Sequence, residues 1–244
     1  MSPADDELAH AEALTVPDIR QLRAVFFDFD GVILESAAIK EEAFRHVFAE
    51  WPQHLDRIVQ HHHDYLGHSR FEKFSWIYRE ILQQQLSVNE STALGNRFSR
   101  FVRQRMLACP MTPGAVAFLD RLRGRVDCFV VSGTPHAELE ELITKRDLQP
   151  YFREIWGSPR SKATIFRDIL DRHDFAADQV LAIGDGKSDY DAACSVGVAF
   201  VARKAPSSAQ DWSTTSVPVV DHLGELLAPL DLRAGGSTAK SRLR

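Results

Sequence analysis

The chain has 244 residues, 44% of them hydrophobic and 26% charged, with a formal net charge of −5. A chain this long and this apolar builds an ordinary core, which excludes global disorder; the acidic balance argues against a basic nucleic-acid-binding surface. No apolar run is long enough to span a bilayer, and the acidic first residues lack the basic and apolar regions of a signal peptide. Cys109, Cys128 and Cys194 have neither disulfide-framework nor zinc-site spacing, so they read as buried thiols of a cytoplasmic protein.

Residues 1–21, with Asp5, Asp6, Glu7, Glu12 and Asp18, read as an acidic N-terminal tail. Residues 22–29 (LRAVFFDF) are a nearly continuous apolar run ending in carboxylates, the pattern of a strand buried on both faces of a parallel sheet. The next interval, 37–108, has no convincing strand. Ile39, Ala43, Phe44, Val47, Phe48 and Trp51 recur at helical spacing, as do Phe74, Ile77, Tyr78 and Ile81, and then Leu94, Phe98, Phe101 and Val102. This predicts an all-helical insertion, joined through linkers near 34–38 and 107–113, with Trp51 and Trp76 in its own core. The successive His61, His62 and His63 point in different directions on a helix and are expected to be solvated rather than to share one metal ion.

Beyond the second linker, Thr112-Pro113-Gly114 reads as a helix start with Thr112 as N-cap. Strands are expected at 126–131 (VDCFVV), 180–183 (VLAI) and 198–201 (VAFV), with helices starting at Thr134-Pro135 and at Ser161. Alternating strands and helices predict an α/β fold: a Rossmann-like parallel sheet with helices on both faces, plus an all-helical cap inserted after the first strand. The expected divisions are 22–36 with 109–232 as the core, 37–108 as the cap, and 233–244, carrying Arg233, Lys240, Arg242 and Arg244, as a disordered basic tail.

The chemistry-bearing residues follow the strands. Asp28 and Asp30 close the first run, and alternation puts residues i and i+2 on one face, where they could act on one substrate. Gly31 then permits a tight turn. As isolated residues, these aspartates could equally cap the following helix. Ser132-Gly133-Thr134 ends the second run beside an expected helix N-terminus, whose free N–H groups suit phosphate. Lys162 opens a later helix with a cation, and Gly184-Asp185-Gly186-Lys187-Ser188-Asp189 ends the third run with two more carboxylates. Lys187 reads as solvent-facing. Phosphate together with two or three carboxylates implies a hard divalent cation, Mg²⁺.

Asp28/Asp30, Ser132, Lys162 and Asp185/Asp189, in this order and each in its proper context, resemble the four motifs of the haloacid dehalogenase superfamily, over roughly residues 22–222. The resemblance implies a nucleophilic Asp28 that forms an aspartyl-phosphate, and Asp30 as general acid and base. It implies Mg²⁺ held by Asp28, the Asp30 backbone carbonyl and Asp185, with Asp189 orienting the site from behind. Ser132, Gly133, Thr134 and Lys162 would take the phosphate oxygens.

Within that superfamily, dehalogenases lack a carboxylate at the position of Asp30, so its presence favours phosphate esters. The sequence is most similar to the helical-cap branch of phosphoglycolate phosphatase and β-phosphoglucomutase. The mutases place a histidine about where Lys40 stands here, which favours water as the phosphoryl acceptor. The implied function is Mg-dependent hydrolysis of a small phosphomonoester, a sugar phosphate or short phosphorylated acid. A phosphosugar mutase and a non-catalytic phosphate-ligand binding protein are the alternatives. Lys40, Arg70 and Lys73 are candidate substrate-reading residues; Arg70 and Lys73 could equally be solvated helix-face cations. The expected partner is a small phosphorylated metabolite, with no nucleic acid and no membrane.

Overall fold

The computed structural model describes residues 21–206, 210–213 and 215–227. The expected acidic tail (but for its last residue), basic tail and final stretch of core, 228–232, lie outside the described residues. Six parallel strands form one sheet in the order β3-β2-β1-β4-β5-β6. They are β1 (Ala24–Phe27), β2 (Asp127–Pro135), β3 (Glu154–Ser158), β4 (Val180–Gly184), β5 (Ala199–Arg203) and β6 (Val219–Val220). Two of these, β3 and β6, have no counterpart among the four expected strands. Strand β3 is an edge strand in which Glu154, Ile155 and Trp156 stay half-buried, so it lacks the continuous apolar run that marks the inner strands. Strand β6 is only two residues long.

The apolar runs are continuous because both sheet faces are covered. Val25, Phe27, Val130, Leu181, Ile183 and Val201 pack on one face with α5 (Ala115–Leu122) and α6 (His136–Lys145). The alternate residues Ala24, Phe26, Phe129, Val131, Ala182 and Phe200 face α7 (Lys162–His173) and α8 (Lys187–Ser195). Ser161 caps α7 as expected, its hydroxyl accepting from the Thr164 N–H. Helix α5 differs from expectation. It begins at Ala115 because Gly114 takes φ +77°, which keeps Pro113 out of the helix. Thr112, no longer a cap, donates its hydroxyl to the Val32 carbonyl at 2.5 Å.

Between β1 and β2 lie the cap helices α1 (Ala37–Val47), α2 (Leu55–Asp64), α3 (Arg70–Trp76) and α4 (Val88–Ala108). A capping box of Ser87 and Glu90 starts α4. The predicted stripes meet: Phe44 packs edge-on against Phe98 at 5.2 Å and Phe74 at 5.8 Å. Burying each ring contributes about 1.5–3 kcal/mol. The histidines depart from the solvated expectation, because aromatic neighbours shelter two of them. His61 stacks on Trp76 at 3.8 Å and His62 on Phe44 at 4.6 Å, both buried, while His63 reaches Glu41. Cys109 and Cys128 are buried thiols, but Cys194, near the end of α8, is exposed.

The two linkers run side by side. Leu34 bridges Met111, and the Glu35 N–H donates to the Pro110 carbonyl at 3.0 Å. Arg203, at the end of β5, fastens this crossing from below and is 2% exposed. It donates to the Gly31 carbonyl at 2.9 Å, to the Asp221 carbonyl at 3.2 Å, and to both Glu35 carboxylate oxygens. Removing the guanidinium strands a partly buried carboxylate and two carbonyls. Arg203→Met is expected to lower the unfolding free energy by about 2–3 kcal/mol in urea titration; a loss under about 0.5 kcal/mol would show that the cluster contributes nothing net.

Candidate active site

Register places the site. Phe27 pairs with Val130 on one side and Ile183 on the other, so the residues just past β1, β2 and β4 converge at one edge. In this strand order β1 lies where the chain reverses direction across the sheet, the position at which such sheets bind ligands. Asp28 leaves β1 with its N–H on the Ile183 carbonyl at 2.9 Å, while its Oδ1 accepts from the Phe29 N–H at 2.7 Å. Asp185 and Asp189 approach from β4 and α8. Ligand oxygens of Asp28, Asp185 and Asp189 all lie within 4.8 Å of one another, and all three residues are buried.

Lys162, at the start of α7, reaches into this cluster, with Nζ 3.2 Å from Asp28 Oδ2 and 2.5 Å from Asp189 Oδ1. Burial pushes the Asp28 carboxyl up to about 7; Lys162 pulls it down, and Asp189 and Asp30 push it up again. Asp185 is raised well above the usual carboxylate range by burial and by the Asp28 charge. Burial opposes the charge on Lys162, but Asp189 and Asp28 outweigh it and hold the ammonium protonated.

Asp30 stands apart from this cluster. Its Oδ1 accepts from Ser36 at 2.8 Å and its Oδ2 from Thr134 at 2.7 Å, with Lys40 Nζ 3.1 Å from Oδ2. Burial favours the neutral acid, yet Lys40 and the two hydroxyls win and hold Asp30 below its usual range. Ser36 occupies the N-cap position of α1 but makes no cap bond, because its hydroxyl turns to Asp30.

Ser132, Gly133 and Thr134 fall where β2 loses register with β3, between Val131 and Pro135. The bulge turns them toward the site. Helix α6 starts only at His136, so the Gly133 and Thr134 N–H groups belong to the bulge and not, as expected, to a helix N-terminus. The Thr134 N–H donates to Ser132 Oγ at 3.1 Å.

These residues line a pocket of ≈ 60 Å³ together with Lys40, Phe44, His62, Gly67, Arg70 and Lys73 of the cap. Lys162 and Asp189 sit behind it. The loop before α3 closes it. The Leu66 carbonyl accepts from Ser188 Oγ at 2.9 Å, and a Cβ on Gly67, at φ +79°, would stand 2.1 Å from Ser188 Oγ. Only glycine lets this loop seat against α8.

Arg70 and Lys73 are buried, contrary to the solvated alternative. Arg70 lies over the Phe98 ring at 4.5 Å and grips Glu138 of α6 with two nitrogens, at 3.3 and 2.7 Å, while also donating to Ser99 at 2.8 Å. Lys73 Nζ lies 3.0 Å from His62 Nδ1 and 3.3 Å from the His62 carbonyl. Burial pulls the Lys73 ammonium down to about 7, with Lys40 adding to the effect, and pulls His62 well below its usual value. Lys187 faces solvent and pairs with Asp191, as expected. Ser36, Gly67 and Glu138 escaped the sequence reading, and His62 was read as solvated. Only Ser36, a cap-like serine just before α1, carried a local signal.

Among the described residues no helix is long and apolar enough to cross a membrane. A family model described as haloacid dehalogenase-like hydrolase matches residues 22–197. The phosphorylated carbohydrates phosphatase of Thermotoga maritima is 23% identical over 185 residues, covering 72% of this chain and 82% of that protein. Among solved structures, CbbY of Rhodobacter sphaeroides in complex with phosphate superposes with a TM-score of 0.68 at 17% identity, covering 86% of this chain and 100% of that one. A predicted phosphoglycolate phosphatase of Haemophilus somnus gives 0.67 at 16% identity, covering 86% and 98%. With more than half its length matched, the chain belongs to the haloacid dehalogenase-like hydrolase family.

Proposed function

We propose that this phosphatase hydrolyses a small phosphomonoester, a sugar phosphate or short phosphorylated acid, through an aspartyl-phosphate formed on Asp28. The observation that carries the proposal is the buried Asp28–Asp185–Asp189 cluster, tied to Lys162 and opening on a pocket lined by Ser132 and Gly133. The pocket lining, with Asp28, Asp30 and Asp185 on one side and Lys40, Arg70 and Lys73 on the other, suits a small anionic substrate.

Three buried carboxyl groups stand against one lysine, and burial and mutual repulsion raise Asp28 and Asp185. Such an oxygen-rich, anionic donor set fits Mg²⁺. Asp28, Asp185 and the Asp30 backbone carbonyl would hold it, with Asp189 behind. When bound, the ion supplies positive charge against the repulsion between a carboxylate nucleophile and an anionic phosphoryl group.

The protein's own groups do the rest. The Phe29 N–H fixes Asp28 Oδ1, which leaves the other oxygen, beside Lys162, to attack phosphorus. Lys162, Ser132 and the Gly133 and Thr134 N–H groups receive the phosphate oxygens. Asp30, held by Ser36, Thr134 and Lys40, protonates the leaving oxygen and then activates the water that cleaves the intermediate. The Lys40 charge favours the anion, and therefore the second, base half of that cycle. Residues 37–108 act as one cap: the Leu66–Gly67 contact with Ser188 excludes water, Lys40 holds Asp30, Arg70 lines the pocket while paired with Glu138, and Lys73 reads the far end of the substrate.

Asp28→Asn is expected to abolish phosphate release from a panel of sugar phosphates, phosphoglycolate and nucleoside monophosphates in Mg²⁺, while circular dichroism stays that of the native fold. Release at the wild-type rate would overturn the nucleophile. Chelator should silence the wild-type enzyme on the same panel.

Cation binding should also be linked to protons. Because burial raises Asp28 to about 7, protons compete with the cation below that pH, so Mg²⁺ affinity should fall roughly tenfold per pH unit there for one linked proton. Calorimetry in two buffers of different ionisation enthalpy measures the release directly; no proton release near pH 6 would remove the carboxylate ligands from the proposal.

A further inference from the structure

The pocket has three cations on its cap side, and they are not equivalent. Lys40 is matched by Asp30, at 3.1 Å. Arg70 is matched by Glu138, whose two oxygens take the guanidinium side-on, and it also donates to Ser99 and lies over the Phe98 ring. Ser99 Oγ in turn donates to Glu138 Oε1 at 2.6 Å, so carboxylate, hydroxyl and guanidinium form one closed unit. Lys73 has no carboxylate within ion-pair distance among the described residues; its contacts are His62 Nδ1 and the His62 carbonyl. Glu138 itself is outside the pocket lining, on core helix α6, while Arg70 lines the pocket from cap helix α3.

We propose that Glu138 is a positioning residue that sets the charge the pocket accepts at its cap end. By neutralising Arg70 and holding both of its amino nitrogens, it leaves Lys73 as the one uncompensated cation facing the substrate among the described residues. A single buried amine, its charge weakened by burial, suits a distal group of one negative charge or none. A second phosphate would need the planar, two-pronged donor that Arg70 provides once it is released. Glu138 thus selects against bisphosphates without touching the substrate. This rests on the phosphomonoester reading above.

The test uses a matched pair of ligands, propanediol monophosphate and propanediol bisphosphate, which differ only in the second phosphate. Binding is measured by titration calorimetry in Mg²⁺ buffer, in an Asp28→Asn background where nothing turns over. Adding Glu138→Gln, which keeps the shape and an acceptor for Ser99, is expected to shift the ratio of the two dissociation constants about tenfold toward the bisphosphate, a change of about 1.4 kcal/mol. Adding Arg70→Met as well should erase that shift, since Glu138 acts only through Arg70; a merely structural role for Glu138 would weaken both ligands alike and ignore Arg70. An unchanged ratio with binding intact overturns the role of Glu138 alone. Failure of every variant to bind either ligand overturns the phosphomonoester reading, and this inference falls with it.

Discussion

Three carboxylates share one dry space at the end of a parallel sheet, and much of the molecule answers to that constraint. The in-register pairing of β1 with β4 makes the crowding unavoidable, because Asp28 and Asp185 each stand just past paired strand residues. Burial there, with mutual repulsion added, pushes the Asp28 and Asp185 carboxyls above their ordinary range. Lys162 answers part of the charge and is itself held protonated by doing so. A fold selected for stability alone would not assemble such a cluster. Buried carboxyl groups that outnumber their cationic partners mark a functional site rather than a stabilising one.

The same constraint explains why Asp30, only two residues from Asp28, ends in a different electrostatic state. It turns away from the cluster into a ring of donors, Ser36, Thr134 and Lys40, drawn from the linker, the β2 bulge and α1. One carboxylate is pushed up and its neighbour pulled down by surroundings a few ångströms apart. That separation is what a division between nucleophile and acid–base group requires. The ring is assembled across the cap–core boundary, so the position of α1 bears directly on the charge state of Asp30.

The places of Asp28, Asp185 and Lys162 were legible in the sequence because a short apolar run or a capping serine stands beside each, but their roles came only from the resemblance of the four motifs, in order, to the superfamily. Inner strands such as β1 and β4 were legible for a related reason: burial on both faces leaves no room for polar residues. Strand β3 was not, since an edge strand carrying Glu154 and a half-buried Trp156 has no such uniform run. His61 and His62 misled because their shelter comes from Trp76 and Phe44 on other helices. Glu138 and Arg203 were invisible for the same reason. Their partners, Arg70 and Glu35, are 68 and 168 residues away in the chain, and nothing local distinguishes either residue from a surface charge.

The division of charge between the two halves completes the picture. The core edge contributes Asp28, Asp30 and Asp185 to the pocket, while the cap side contributes Lys40, Arg70 and Lys73. The Leu66–Gly67 loop, seated on Ser188, holds these opposite sets face to face. Yet the match is incomplete at both ends: the core keeps more carboxylates than Lys162 can answer, and Lys73 keeps a charge that burial works to remove. A cation at the core end and an anionic substrate group at the cap end would each relieve one of these imbalances. The two imbalances of charge are therefore a description of what the pocket binds.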